Sequence, residues 1–494
     1  MRLNQGPIET VEAIAVSIEA RNRIGDTWSD AGATAEAASP ARPGRLIGTY
    51  PLSAAAAAVE AVEAAAAALP AWRARAGPDR GNILYAAADA LAAHARELAD
   101  VSCLEMGKPI GEARGEADRA VAIFRFYAGE ASRPVGEVIP SQRAGTLQYT
   151  QRVPLGVVAA ITPWNFPLAI PAWKIAPALA YGNTVVLKPA EWSSLTAFRL
   201  VAVLADGLPP GVLNLVMGLG REAGDALVRS PGVAGITFTG SATTGRAVAE
   251  AALTHGAKYQ LEMGGKNPVI VAADADLELA ADLTVSGAMR SAGQKCTATS
   301  RAIALAPVRE AFGDAVRRRI EALRVGDPAD PDTYVGPVVS RPQYEKVLAL
   351  VAQGRQEGAR VLAGGGPHAA ADGGYFVAPT LFDAVTPDMT IFQEEIFGPV
   401  VGISEALDLD DAVRQANAVR YGLSASVFTR SLDTALRVVD ALDAGLVRVN
   451  EESAGVELQA PFGGMKASSS HSREQGRAAM DFFTDTKTVA MRAG

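Results

Sequence analysis

Apolar residues recur along this chain with two periods, and the change from one to the other divides it. In the first third the spacing is helical. Ser53 opens an Ala-rich stretch toward Leu69 in which Val59, Val62 and Leu69 form a stripe, and Ser53 suits the N-cap. After Pro78, the residues Ile83, Leu84, Ala87, Leu91 and Leu98 predict a second helix, with Cys103 at its end as core filler. A third helix is predicted over 115–130. Residues 29–45, rich in Ala, Ser, Pro and Gly, predict a loop, and residues 1–22 a short helix or an extension. Residues 146–152 alternate in polarity, as an exposed strand does.

From Pro154 short apolar runs alternate with helical segments. Strands are predicted at 157–162, 184–188, 213–216 and 235–239, with helices at 168–181, 194–206 and from about 243. The alternation resumes with strands at 269–271 and 300–305 and helices near 276–292 and 308–323, and further units run to Val449. Residues 482–491 alternate again, as an edge strand. Strands alternating with helices predict an α/β protein with a parallel, doubly wound sheet.

The chain has 494 residues, enough for two or three domains. A net charge of −8 gives no general attraction to nucleic acid or anionic membrane. Two cysteines exclude a disulfide framework, and four scattered histidines disfavour a metal site. No basic leader precedes a long apolar core at the N-terminus, and no uninterrupted apolar run is long enough to span a membrane. The expectation is a cytoplasmic protein.

Glu262 and Cys296 lie 34 positions apart, each close to glycines, in Leu261-Glu262-Met263-Gly264-Gly265-Lys266 and Gly293-Gln294-Lys295-Cys296. A thiolate nucleophile with a carboxylate that activates water would perform covalent catalysis followed by hydrolysis. Alone, Cys296 reads more readily as a buried free thiol, and Glu262 as a surface acid. A plain dinucleotide fingerprint is missing, since Gly218-Leu219-Gly220-Arg221-Glu222-Ala223-Gly224 is one residue too long. Gly240-Ser241-Ala242-Thr243-Thr244-Gly245 has P-loop glycine spacing, but Arg246-Ala247 replaces the Lys and hydroxyl that nucleotide hydrolysis needs.

With Thr162-Pro163-Trp164-Asn165-Phe166-Pro167, Gln393-Glu394-Glu395-Ile396-Phe397-Gly398-Pro399 and Pro461-Phe462-Gly463-Gly464-Met465-Lys466, these motifs resemble the NAD(P)-dependent aldehyde dehydrogenase superfamily from about residue 23 to 489. The resemblance implies a variant Rossmann cofactor domain (1–131 and 151–264), an α/β catalytic domain (265–463) and a small β oligomerisation element (132–150 and 464–494). It also implies an early hairpin near 24–28. It makes Cys296 the nucleophile, Glu262 the general base and Asn165 the oxyanion donor, with the backbone N–H of Cys296. It implies cofactor contacts from Trp164, Lys188, Glu191, Gly220, Gly240, Ser241, Glu395 and Phe397. A carboxylate at Glu191 accepts ribose hydroxyls and repels a 2′-phosphate, so of NAD and NADP it leans to NAD.

The segment Ala467-Ser468-Ser469-Ser470-His471-Ser472-Arg473-Glu474 departs from the commoner Ser-Gly-x-Gly-Arg-Glu form. With Gln294-Lys295-Cys296-Thr297, it resembles the branch oxidising α-ketoglutarate semialdehyde (2,5-dioxopentanoate). Arg290 then resembles the residue that grips the far carboxylate in succinate semialdehyde relatives. Trp173 stands where those relatives have a second Arg, which weakens a succinate semialdehyde reading. The implied partners are a small aldehyde and further copies of the chain, as homodimer or homotetramer. The reading from another class is a retired, structural protein on the same fold.

Overall fold

The computed structural model describes residues 18–30, 32–133, 135–369 and 373–492. Most of residues 1–22, left open from the sequence, lie outside it. The alternating segments form two large sheets. The first has seven strands in the spatial order Lys258–Glu262, Val233–Thr239, Val157–Thr162, Thr184–Pro189, Leu213–Leu215, Asn22–Ile24 and Thr27–Ser29. Its first five strands are parallel, and the early hairpin adds antiparallel to Leu213–Leu215. The second sheet has the order Arg360–Ala363, Thr380–Asp383, Val400–Ala406, Thr299–Leu305, Asn267–Val271, Ser424–Phe428 and Leu446–Val449, all parallel except the first strand. The central strand Val157–Thr162 is buried almost throughout, as a parallel strand covered on both faces must be.

The chain passes from one sheet to the other between Glu262, which ends a first-sheet strand, and Asn267, which starts a second-sheet strand. Carboxyl ends of first-sheet strands thus face the amino ends of second-sheet strands. The open end of a parallel sheet is where ligands bind in such folds.

Helices near the amino terminus pack on the first sheet and fix its loops. Two buried carboxylates do this directly. Glu105 accepts the N–H groups of Leu195 and Thr196 at 2.8 Å each, capping the helix Ser194–Ala205. Glu116 accepts those of Leu168 and Ala169 at 2.8 and 3.0 Å and is paired with buried Lys108. An anion at a helix amino end completes unpaired N–H groups and meets the positive end of the dipole.

Several expectations need correction. Residues 29–45 are not a loop, because Thr34–Ser39 and Arg42–Pro51 form an antiparallel hairpin. The first helix is Ala55–Ala74, and Ser53 does not cap it, since its hydroxyl instead accepts Asn22 Nδ2 at 2.7 Å. Val59 faces outward, and the buried stripe is Ala58, Ala61, Val62, Ala65 and Trp72. This helix is long and apolar enough by composition to cross a bilayer. It nevertheless packs one face on the first sheet and turns Glu60 and Glu63 outward. The second predicted helix is two, Gly77–Ala93 and Ala95–Met106, broken at His94. The strand at 146–152 is internal to a three-stranded sheet: Thr146–Pro154 pairs with Thr484–Arg492 on one side and Val138–Ile139 on the other.

Candidate active site

Cys296 sits just before the strand Thr299–Leu305, on a loop with an unusual backbone. Ser291, Ala292 and Gly293 have φ of 54°, 51° and 69°, three consecutive residues in the left-handed region. Non-glycine residues there carry strain that persists only when surroundings hold it, and such strain collects at functional sites. The surroundings do hold it. Glu112 accepts the N–H and hydroxyl of Ser291 at 3.0 and 2.7 Å. The Gln294 amide bridges Val339 N and Ser291 O at 2.9 and 3.1 Å. Asn267 donates to the carbonyls of Cys296 and Ala298 at 2.8 and 2.9 Å. A Cβ on Gly265 would lie 2.5 Å from the Cys296 carbonyl oxygen, so only glycine lets the two motifs approach this closely.

The structure brings Asn165 to the same loop. It follows the strand Val157–Thr162, is buried, and donates through Nδ2 to the Gln294 carbonyl at 2.9 Å. Its amide keeps a second N–H. Cys296 is partly exposed rather than core filler. Its thiol is pushed up to about 12 by burial first and then by the charges of Glu395 and Glu262, against the pull of backbone N–H groups. Those two carboxylates are therefore neighbours of the sulfur.

Glu262 is 2% exposed, not a surface acid. Its Oε2 accepts the Ser469 hydroxyl at 2.5 Å, while Oε1 has no partner among the described residues. A Cβ on Gly463 would meet that free oxygen at 2.9 Å, so the glycine keeps it clear. Burial, then Glu474, raise the Glu262 pKa well above the usual carboxylate range. Glu474 pairs with buried Lys174 and accepts the Thr237 hydroxyl at 3.1 Å, with Oε2 unpartnered among the described residues.

The sequence alone assigns no role to Lys174, Ser469 or Glu474. The divergent serine segment turns out to be the wall behind Glu262. Ser470 N bonds Leu261 O at 2.9 Å, Leu261 N bonds Ser470 Oγ at 2.9 Å, and Gln260 Nε2 bonds Ser472 Oγ at 3.0 Å. Lys174 had one usable signal, a single charge inside the otherwise apolar helix Ala169–Ala180.

The proposed cofactor residues also gather. Lys188 and Glu191 approach to 3.7 Å, and Glu191 Oε1 accepts Gly220 N at 2.9 Å. Lys188 is 3% exposed, so it is not a solvated strand end. Ser241 ends the loop after Val233–Thr239 and caps the helix Ala242–Leu253 by accepting Thr244 N at 3.2 Å. Open space lies where a Gly220 side chain would be. A helix amino end for phosphates, with a carboxylate and an ammonium two strands away for sugar hydroxyls, fits a dinucleotide. On the far side, Glu395 Oε1 accepts Gly265 N at 3.0 Å, and the Trp164 and Phe397 rings meet edge-on at 5.4 Å.

The remaining two residues diverge. Trp173 is buried, its ring 5.7 Å from that of Phe462, and its indole N–H has no partner among the described residues. Arg290 is exposed at the end of the helix Leu277–Met289, its guanidinium 5.5 Å from the Tyr334 ring centre rather than paired along its own helix.

The profile of the aldehyde dehydrogenase family matches residues 28–489. The chain belongs to the aldehyde dehydrogenase family. The enzyme is an NAD(P)-dependent oxidoreductase that acts on aldehydes. It is 50% identical over 476 residues to the alpha-ketoglutaric semialdehyde dehydrogenase of Bacillus subtilis (strain 168), covering 95% of this chain and 98% of the relative. It is 44% identical over 475 residues to the alpha-ketoglutarate semialdehyde dehydrogenase of Haloferax volcanii, covering 95% and 98%. Betaine aldehyde dehydrogenase from Staphylococcus aureus, solved in complex with NAD+, superposes with a TM-score of 0.94 at 33% identity, covering 98% of this chain and 96% of that one. Fold and family are thus as the motifs implied.

Proposed function

We propose that this enzyme oxidises an acidic semialdehyde, α-ketoglutarate semialdehyde first among candidates, to the carboxylic acid. The observation that carries the reaction is the convergence of Cys296, Asn165 and Glu262 where the chain passes from the first sheet to the second. The substrate class rests on the Bacillus and Haloferax relatives, whose names state that activity, at 50% and 44% identity. A retired protein would have no use for a strained nucleophile loop beside a desolvated carboxylate.

The Cys296 thiol gives up its proton to water, and the thiolate sulfur attacks the aldehyde carbon. The free N–H of Asn165 and the backbone N–H of Cys296 hold the oxygen that becomes negative. Such a donor is worth about 3–4 kcal/mol in enzymes where one was removed. Trp164, Lys188, Glu191, Gly220, Gly240, Ser241, Glu395 and Phe397 would hold the dinucleotide, with NAD favoured over NADP by Glu191. Bound there, it supplies the two-electron oxidant that turns the cysteine adduct into a thioester. Glu262, buried and raised in pKa, takes a proton from the water that hydrolyses the thioester. Glu474, next to Glu262 and paired with Lys174, is placed to take that proton onward. Arg290 and the free indole N–H of Trp173 are the proposed substrate contacts, and the enzyme works as a homo-oligomer in the cytoplasm.

The test is steady-state oxidation of an aldehyde panel with both cofactors. Higher kcat/KM on α-ketoglutarate semialdehyde than on succinate semialdehyde and neutral aldehydes is expected, and a preference for neutral aldehydes would refute the substrate class. In the same assay Cys296→Ala abolishes turnover, and Glu262→Gln gives a burst of reduced cofactor followed by a slow phase.

A further inference from the structure

Beside the nucleophile stands a cation without a partner. Lys295 is 8% exposed, yet its ammonium has no hydrogen bond or ion pair to any described residue. Buried lysines are rare unless paired, because burial without a counter-charge is costly. Arg290 and Lys108, the two cations whose charges act on it, are engaged. Lys108 is paired with Glu116 and lies 4.0 Å from the centre of the Phe166 ring, and Arg290 stacks on Tyr334.

The charges around the ammonium differ from those around the sulfur. Glu262 and Glu395 act on the thiol. Burial lowers the Lys295 pKa, while Glu112 and Glu452 are the carboxylates that raise it. The ammonium and the sulfur thus answer to different carboxylates. Neither carboxylate there closes an ion pair with it. Glu112 is committed to the N–H and hydroxyl of Ser291. Glu452 keeps its Oε2 without a partner among the described residues and stays beyond ion-pair distance.

We propose that Lys295 is a specificity-determining residue that binds the far carboxylate of the aldehyde held at Cys296. The inference rests on Cys296 being the nucleophile, as proposed above. Lys295 is its direct chain neighbour, about 3.8 Å away between Cα atoms, so a ligand carbon on the sulfur lies within the span of the lysine side chain. In α-ketoglutarate semialdehyde four C–C bonds separate the two carbonyl-type ends, about 5 Å at ~1.5 Å per bond in a zigzag. A desolvated ammonium selects an anion over a neutral oxygen, since charge-assisted bonds are roughly twice as strong.

The experiment compares Lys295→Met and Lys295→Arg with the parent enzyme at saturating NAD. The substrates are α-ketoglutarate semialdehyde and pentanal, a neutral aldehyde of the same length. Lys295→Met is expected to lower the ratio of kcat/KM, acidic over neutral, by about 10- to 100-fold through KM, the loss typical of one charge-assisted bond. Lys295→Arg should restore most of that ratio, which a packing role would not do. Equal losses on both aldehydes, or an unchanged ratio, would overturn the assignment. Glutarate as an inhibitor competitive with pentanal separates this inference from the substrate reading. If the parent enzyme shows no preference for acidic aldehydes, the substrate reading fails. If glutarate inhibits parent and Lys295→Met alike, the Lys295 assignment fails.

Discussion

At the scale of single residues, the site is a set of groups held away from their ordinary ionisation. The Cys296 thiol, near 12, is protonated at neutral pH in the free enzyme, and the causes are burial and two acidic neighbours. Removing a negative neighbour favours the thiolate. Glu395→Gln should therefore speed alkylation of Cys296 by iodoacetamide at pH 7 in the absence of cofactor, and an unchanged rate would remove Glu395 as an electrostatic neighbour of the sulfur. Glu262 shows the same physics and the same demand, because a base too must be ionised, here to accept a proton. Its pKa is raised by burial and Glu474 and pulled back by the Ser469 hydroxyl. Ser469→Ala removes the pull, so the pKa rises further and less of the base is ionised at pH 7. The rise of kcat with pH should then move to higher pH, while the first burst of reduced cofactor keeps its amplitude. A pH profile that stays put would show that Ser469 only fills space.

At the scale of elements, the nucleophile loop is where backbone conformation matters most. Gly293 has φ of 69°, and a Cβ there would lie 2.0 Å from the Gly398 carbonyl oxygen. Gly293→Ala must move either this loop or the Gly398 turn beside Phe397. A stability loss of about 1–3 kcal/mol is expected from a strained backbone of this kind, read by thermal unfolding, together with a fall in kcat/KM on every aldehyde. A variant with parent melting temperature and activity would mean the turn has slack. The elements were legible in the sequence to different degrees, for physical reasons. The strand Val157–Thr162 matches its apolar run residue for residue, because burial on both faces leaves no polar position to blur it. The hairpin Thr34–Ser39 with Arg42–Pro51 was hidden because Ala, Gly and Ser have little strand preference, and its formation depends on pairing rather than on its residues. Cys296, Glu262 and Asn165 were legible as motifs. Lys174 and Glu474 were not, since the contact that defines them joins positions 300 residues apart.

At the scale of the whole molecule, one feature is unfinished. The three-stranded sheet of Val138–Ile139, Thr146–Pro154 and Thr484–Arg492 leaves the last strand paired on one side only. An unpaired strand edge is a template for another chain. The register also collects apolar side chains on one face. Met491 lies opposite Leu147, while Val489 and Val138 both lie opposite Tyr149. Val138, Leu147 and Met491 are 76%, 48% and 49% exposed. A single chain gains nothing by presenting an apolar sheet face beside a free edge, whereas a second copy can cover both. The parent enzyme should therefore scatter light as more than one chain at micromolar concentration. Leu147→Glu combined with Met491→Glu places two like charges directly opposite each other on that face, which opposes a covering partner. The double variant should scatter with a mass nearer that of one chain. Its core should stay intact, because the sheet is anchored to the body elsewhere, for instance where Lys258 donates to the carbonyls of Asp481 and Thr484 at 2.6 and 3.0 Å. A single-chain mass for the parent enzyme, or an unchanged mass for the double variant, would show that this face is not where copies meet.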